Sequence, residues 1–168
     1  AVFCAASRAT FARMCRAALE GRLPELRLYR LRLSLNGAPL PHRALNDVLV
    51  VHDDPATMSR YRLWLGGRAE LQKSSGLWAA TAAGSSSAVL AAGGVRMSWR
   101  STRFQYRPRE LYRGRLSRSR LTGGVLPPQG RLVLAPRGRR RRLVILVLTS
   151  TDSSLWQLTD WRIEPEHR

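Results

Sequence analysis

Residues 73–94 read KSSGLWAATAAGSSSAVLAAGG, and the rest of the chain is best understood outward from them. Lys73 is the only lysine in a chain whose other basic residues are arginines. The middle of the run is almost entirely Ala, Ser, Thr and Gly, with too little apolar surface to serve as core. Glycines and hydroxyls suit a backbone that another group approaches closely. The run is therefore expected to be a ligand-binding loop leading into a short helix, held in place by the strands around it.

Upstream, the pattern has the period of strands. Residues 26–35 alternate Leu with Arg, Tyr or Ser, and the alternation slips at Tyr29-Arg30, which predicts a bulge there. Asn36-Gly37 is a strong two-residue hairpin turn. After Pro39 and Pro41, a second strand is expected over 44–51, ALNDVLVV, nearly continuous in apolar residues but interrupted by Asn46 and Asp47. Burying either of those side chains without a partner costs a few kcal/mol, so the pair needs a reason to be there. Asp53-Asp54-Pro55 reads as a loop. Residues 60–65 form a third strand with Tyr61, Leu63 and Leu65 on one face, and Gly66-Gly67 turns it.

Ahead of these strands, residues 9–21 read as a helix. Phe11, Met14, Cys15, Ala18 and Leu19 recur on one face, Thr10 or Ser7 can cap its start, and Gly21 ends it. The ordinary role of such a face is core packing. Downstream, Pro108 and the scattered arginines of 96–120 suggest irregular structure. Residues 125–134 and 143–148 read as strands on either side of the arginine run 137–142, and 156–163 as a last strand. No internal repeat is visible. The expected fold is mainly β with a few helices (α+β), its sheets packed as a sandwich.

Composition narrows the function classes. The 168 residues suffice for one domain, and 44 % of them are hydrophobic, enough for a core. No run approaches the roughly 18 to 20 apolar residues of a membrane helix. Cys4 and Cys15 make no disulfide framework and have no histidine at metal-site spacing, which leaves buried, reduced thiols as the plain reading. The net charge of +18 raises the question of nucleic acid. The positive charge is nearly all arginine, however, and is spread from Arg8 to Arg168, and aromatics do not alternate with it as a base-stacking surface would want, so specific base recognition is not expected. A nonspecific affinity for polyanions, lost at moderate salt, is.

The motifs carry a more specific message. Ala44-Leu-Asn-Asp47 is followed by Ser75-Gly76-Leu77 and then by TAAGSSSAVLAAGG over 81–94. This order resembles the C-terminal part of the NAD kinase family, in which an ALNE or ALND strand precedes GDGL and a TPTGSTAYSLSAGG-like loop and helix. It is most similar to the plant-type NADH kinase branch, which carries Ser-Ser-Gly for Gly-Asp-Gly and a TAAGSTAAMLSAGG form of the loop. Cys4-Ala-Ala6, residues 19–22 (LEGR), residues 55–60 (PATMSR), Gln105-Tyr106 and Arg109-Glu110 agree with that branch. The resemblance runs from Phe3 to Glu110, more weakly to Val133, and fades beyond the arginine run.

The resemblance implies an enzyme that transfers the γ-phosphoryl group of ATP, with Mg²⁺, to the 2′-hydroxyl of the adenosine ribose of NAD or NADH. It implies that Asn46, Asp47, Ser75, Gly76, Thr81, Gly84, Ser85 and Ser86 bind the dinucleotide and that the protein is a homo-oligomer; a cytoplasmic location is expected, with an organelle as the alternative. The loop 81–85 would bring backbone N–H groups and serine hydroxyls to a phosphate or ribose. Three segments are expected: 1–22 as a helical lead from an N-terminal α/β domain, 23–135 as the NAD(H)-binding β-rich domain, and 136–168 as a divergent basic tail.

Departures from the family pattern are as informative. Ser75 stands where the family has the Asp of GDG, Ser86 where it has a second Thr, and Ala88 where it has Tyr. The GGDGT motif, whose aspartate is credited with catalysis and Mg-ATP binding, is absent, so no catalytic residue and no metal ligand is expected in these residues. A late Asp-Gly strand motif is missing too. A catalytically dead relative and a basic nucleic-acid-binding β domain are the alternatives.

Overall fold

The structure, a computed structural model, describes residues 6–54, 56–114, 119–137, 143–148, 153–158 and 161–165. Helix α1 (Phe11–Leu19) is followed by strands β1 (Leu31–Leu35), β2 (Ala38–Ala44), β3 (Asp47–His52), β4 (Ser59–Leu65), β5 (Arg68–Ser74) and β6 (Leu77–Ala80). Then come the short helix α2 (Ala88–Ala91) and strands β7 (Phe104–Pro108), β8 (Gly124–Leu126), β9 (Leu132–Pro136), β10 (Leu143–Leu148), β11 (Ser153–Leu158) and β12 (Trp161–Pro165). The strands form two six-stranded sheets, ordered β2-β1-β12-β9-β4-β5 and β11-β10-β3-β6-β7-β8, with antiparallel pairing throughout. This is the mainly β, sandwich-like architecture that the strand periodicity implies.

The inner faces of both sheets make one core. Leu31 and Leu33 of β1, Tyr61 and Leu63 of β4, and Leu132 and Leu134 of β9 meet Val48 and Val50 of β3, Leu77 and Ala79 of β6, and Phe104 and Tyr106 of β7. Alternate residues of a strand face opposite sides, so the first sheet can leave its other face to water. The middle of the second sheet cannot. Leu49, Trp78 and Ala80 point outward and pack with Val89 of α2 as a second apolar cluster. Strands β3 and β6 are covered on both faces, which is why their sequences lack alternation.

Several expectations are corrected here. The strand expected over 44–51 is two strands: the chain leaves the first sheet at Ala44 and enters the second at Asp47, so Leu45-Asn46 is a crossover between sheets. The slip foreseen at Tyr29-Arg30 precedes the strand, and the register irregularity lies between Arg32 and Ser34. The hairpin at Asn36-Gly37 forms as expected, with φ of +50° and +85°. The arginine-rich stretch expected to be irregular contains β7, an interior strand whose Phe104, Gln105 and Tyr106 are buried. The single strands expected over 125–134 and 156–163 are each a pair of strands. The boundary expected at 136 falls at the end of β9, and β10 and β12 pair with β3, β9 and β1 across it. Helix α1 ends as expected, its Gly21 at φ +65°, but none of its residues is buried; Leu19 is 90 % exposed and Cys15 is exposed, where core packing and a buried thiol were expected, and Cys4 lies outside the described residues.

Candidate functional site

The loop after β6 is buried rather than open. Residues 76–85 are buried without interruption, although apart from Leu77 and Trp78 their side chains are small. The expectation that so polar a run lies outside the interior is therefore wrong, because α2 covers it and the crossover 45–46 packs directly beneath it. At Gly84 an added Cβ would lie 2.2 Å from the Asn46 carbonyl oxygen, far inside any real contact. Thr81 fastens the two segments: its N–H donates to the Asn46 carbonyl (2.9 Å) and its hydroxyl to the Leu45 carbonyl. The sequence places a glycine at 84 because two backbones touch there, and the loop and the Asn46-Asp47 pair become one unit.

Within this unit the expected binding groups separate into used and available. The Thr81 hydroxyl, besides donating to Leu45, accepts from the Ala83 N–H (3.1 Å). The Ser85 hydroxyl donates to the Ala82 carbonyl (2.7 Å) and accepts from the Met97 N–H (2.9 Å). The N–H groups of Thr81, Ala83, Ser85 and Ser87 all donate inside the protein. The phosphate cradle of backbone N–H groups and serine hydroxyls expected over 81–85 is thus engaged in holding the loop. Ser86 is the exception, being exposed and without a side-chain hydrogen bond among the described residues.

Asn46 and Asp47 behave differently. The Oδ1 atom of Asn46 is buried and has no hydrogen-bond partner among the described residues. An orphaned buried acceptor costs about 1–3 kcal/mol, so it is a position where a donor belongs. Asp47 is only 2 % exposed. It shares the outward parity of Leu49 and Val51, which brings its carboxylate toward α2. There the Ser87 hydroxyl donates to Asp47 Oδ2 (2.8 Å). Burial pushes the Asp47 carboxyl above its ordinary value, and the Ser87 hydrogen bond opposes that shift. Ser87 is a residue that sequence reading missed, since nothing distinguishes it from its neighbours in Ser85-Ser86-Ser87.

Ser75 and Gly76 lie elsewhere. Gly76 packs on Val50, where a Cβ would lie 2.7 Å from the Val50 carbonyl oxygen, whereas Ala80 at the other end of β6 pairs with Asp47. Five residues of extended chain place Gly76 roughly 16 Å from Thr81. The Ser75 hydroxyl donates to Glu110 Oε2 (2.5 Å), and Ser75 N–H and Arg109 N–H bond to Arg109 and Gly76 carbonyls respectively. The structure brings together Asn46, Asp47, Thr81, Gly84, Ser85 and Ser86, adds Ser87, and separates Ser75 and Gly76 from them. Among the described residues no group of three or more His, Cys, Asp or Glu converges as metal ligands do, and no helix is long and apolar enough to cross a membrane.

No protein-family model matches the sequence. A rice (Oryza sativa subsp. japonica) protein described as a probable NADH kinase is 43 % identical over 113 residues, which is 64 % of this chain and 35 % of the rice protein. An NAD kinase of Methanoculleus marisnigri is 44 % identical over 69 residues, 40 % of this chain and 25 % of its own length. Among solved structures, yeast NADH kinase complexed with NADH aligns with a TM-score of 0.75 at 14 % identity, over 95 % of this chain and 46 % of the yeast chain. An Archaeoglobus fulgidus NAD kinase in complex with ATP gives 0.71 at 20 % identity, over 93 % and 57 %. The chain thus spans about a quarter to a third of these sequence relatives and about half of the structural ones.

Proposed function

We propose, from the chain's similarity to part of an NADH kinase and an NAD kinase, that it supplies the NAD(H)-binding part of an ATP-dependent NAD(H) kinase. The observation that carries the reading is the buried Oδ1 of Asn46, unpartnered among the described residues, on the residue next in sequence to Asp47, whose carboxylate accepts from Ser87 through one oxygen. Two acceptors on adjacent residues suit a ligand that offers adjacent hydroxyl donors, as the 2′- and 3′-hydroxyls of a ribose do. Asn46 Oδ1 accepts one hydroxyl, and the Asp47 oxygen not held by Ser87 accepts the other. Thr81, Gly84 and Ser85 do not touch the ligand in this reading; they fix the backbone on which Asn46 and Asp47 sit. Ser86 faces solvent at the rim and donates to the ligand.

Mg-ATP supplies the phosphoryl group, and the phosphate-transfer machinery lies outside the residues named here. Phosphoryl transfer depends on positioning and on neutralising charge at the transferred group. No GGDGT sequence occurs in these 168 residues, and the chain by itself is proposed to bind NAD(H) without turning it over. Ser75 and Gly76 are left out of the cradle because of their distance from it.

Calorimetric titration of the chain with NADH and with NAD, beside Asn46→Ala and Asp47→Ala, tests this reading. The expected result is saturable binding to the wild type that weakens at least about tenfold in either variant, as loss of a hydrogen bond involving a charged or buried group does. Equal affinity in all three proteins removes the site. Conversion of NADH to NADPH by the purified chain with Mg-ATP contradicts the division of labour.

A further inference from the structure

We propose that Ser87 is a positioning residue for the dinucleotide site, holding the Asp47 carboxylate so that its second oxygen faces the ligand. The inference rests on the reading given under Proposed function and adds to it a residue that the family motif does not supply. Both forms of the loop motif, TPTGSTAYSLSAGG and TAAGSTAAMLSAGG, carry Ala where this chain has Ser87.

The geometry gives the hydroxyl a job other than the usual one. Ser87 is the N-cap of α2, a position where a serine ordinarily accepts a hydrogen bond from the first turn of its own helix. Here it makes no such bond. Its Oγ instead lies 2.8 Å from Asp47 Oδ2 and 2.9 Å from the Gly84 carbonyl oxygen. A hydroxyl has one proton and cannot donate to both. With Asp47 ionised, the proton goes to the carboxylate, the stronger acceptor, in a charge-assisted bond. Capping is given up and the buried anion is satisfied, a choice consistent with the cost of leaving a desolvated carboxylate without a donor.

The bond also fixes direction. Asp47 is almost wholly enclosed, and the oxygen tied to Ser87 is Oδ2, which leaves Oδ1 as the acceptor for a ligand hydroxyl. In a chain with Ala at 87, the carboxylate loses its one side-chain donor among the described residues, and with it the partner that sets its rotation about χ2. Ser87 thus acts through Asp47 and does not itself contact the ligand.

The test is calorimetry with NADH on the full chain and on Ser87→Ala, Ser87→Cys and Ser87→Thr, together with the Ser87→Ala/Asp47→Ala double variant. Thermal unfolding of each protein is measured alongside. Expected are about tenfold weaker binding in Ser87→Ala and in Ser87→Cys, which keeps the size but not the strong donor, and near wild-type binding in Ser87→Thr. Adding Ser87→Ala to Asp47→Ala costs nothing further if the serine acts only through that carboxylate. Wild-type affinity in a folded Ser87→Ala or Ser87→Cys overturns the inference while leaving the NAD(H) site standing. Equal, additive losses in the double variant also overturn it, because they assign Ser87 a separate contact or a general structural role. If the wild type binds neither NADH nor NAD, both the inference and the reading beneath it fall.

Discussion

The two ends of β6 are made of the same small, polar residue types and do opposite things. At its start, Ser74, Ser75 and Gly76 close on themselves. The Ser74 hydroxyl bonds to Tyr61 OH (2.8 Å) and donates to the Gly76 carbonyl (2.8 Å), Ser75 donates to Glu110, and the Arg109 N–H donates to the Gly76 carbonyl. At its end, the hydroxyls of Thr81 and Ser85 are just as fully engaged, but they brace a pair, Asn46-Asp47, that among the described residues is left with an orphaned oxygen and a carboxylate held by one side-chain donor. Serine, glycine and acidic residues at a strand end identify a site only where their hydrogen bonds remain open. The comparison can be broken at four points, in falling order of effect.

Gly84→Ala is expected to do the most damage. A methyl group 2.2 Å from the Asn46 carbonyl forces the loop off the crossover. Overpacking of this kind costs about 3 kcal/mol, read as a lower urea midpoint at unchanged slope, with loss of NADH binding alongside. Unchanged stability would mean that loop and crossover are not one unit. Asn46→Ala separates stability from function. It removes an unsatisfied buried acceptor, so the ligand-free chain is expected to be unchanged or more stable by about 1 kcal/mol even as affinity falls at least about tenfold. A clear loss of stability would show that Asn46 Oδ1 has a structural partner.

Asp47→Asn gives a pH-dependent difference. The folded-state pKa of Asp47 is raised above the unfolded value of 3.8, chiefly by burial. The folded state therefore binds more protons in the window above 3.8, and the wild type loses stability as pH rises through that window. The neutral variant escapes this loss, so its unfolding temperature is expected to gain on the wild type from pH 3.5 to 7. A difference constant across that range would put the carboxylate in a solvated setting. Ser75→Ala should do the least. It removes one partly exposed hydrogen bond to Glu110, a change of less than about 1 kcal/mol. NADH affinity should stay within twofold, and a larger loss would bring the start of β6 into the binding site.

How much of this was legible in the sequence depended on what each signal encodes. Local turn chemistry was plain at Asn36-Gly37 and at Gly66-Gly67, where every φ is positive, because only the backbone's own sterics are involved. Alternation revealed the face of β4, since one side of that sheet is open. Sheet membership was not legible: a strand pattern states which face is apolar, not which sheet the strand joins, so the crossover at Leu45-Asn46 read as an interrupted strand. Strand β7 was hidden by its arginines and Pro108. Arg107 uses its side chain on the carbonyls of Gly93 (2.6 Å) and Thr122 (2.9 Å), and Pro108 sits at the strand's last position, beyond residues 104–106 that pair with β8. The buried 76–85 run was misjudged because its burial comes from α2 and a backbone contact, neither of which depends on side-chain size. Asn46 and Asp47 stood out as residues without a reason in their strand, and the motif resemblance supplied one. Ser87 did not stand out, because its role follows from a contact with a residue forty positions away.

The most direct measurement of the central claim is an NMR titration of the ¹⁵N-labelled chain with NADH, following the Asn46 side-chain amide, the Asp47 and Ser86 backbone N–H signals, and those of Gly76 and Glu110. The account predicts saturable shifts at Asn46, Asp47 and Ser86, with Gly76 and Glu110 unmoved. Shifts centred on Gly76 and Glu110, with Asn46 and Asp47 unmoved, would place the ligand at the wrong end of β6 and contradict it.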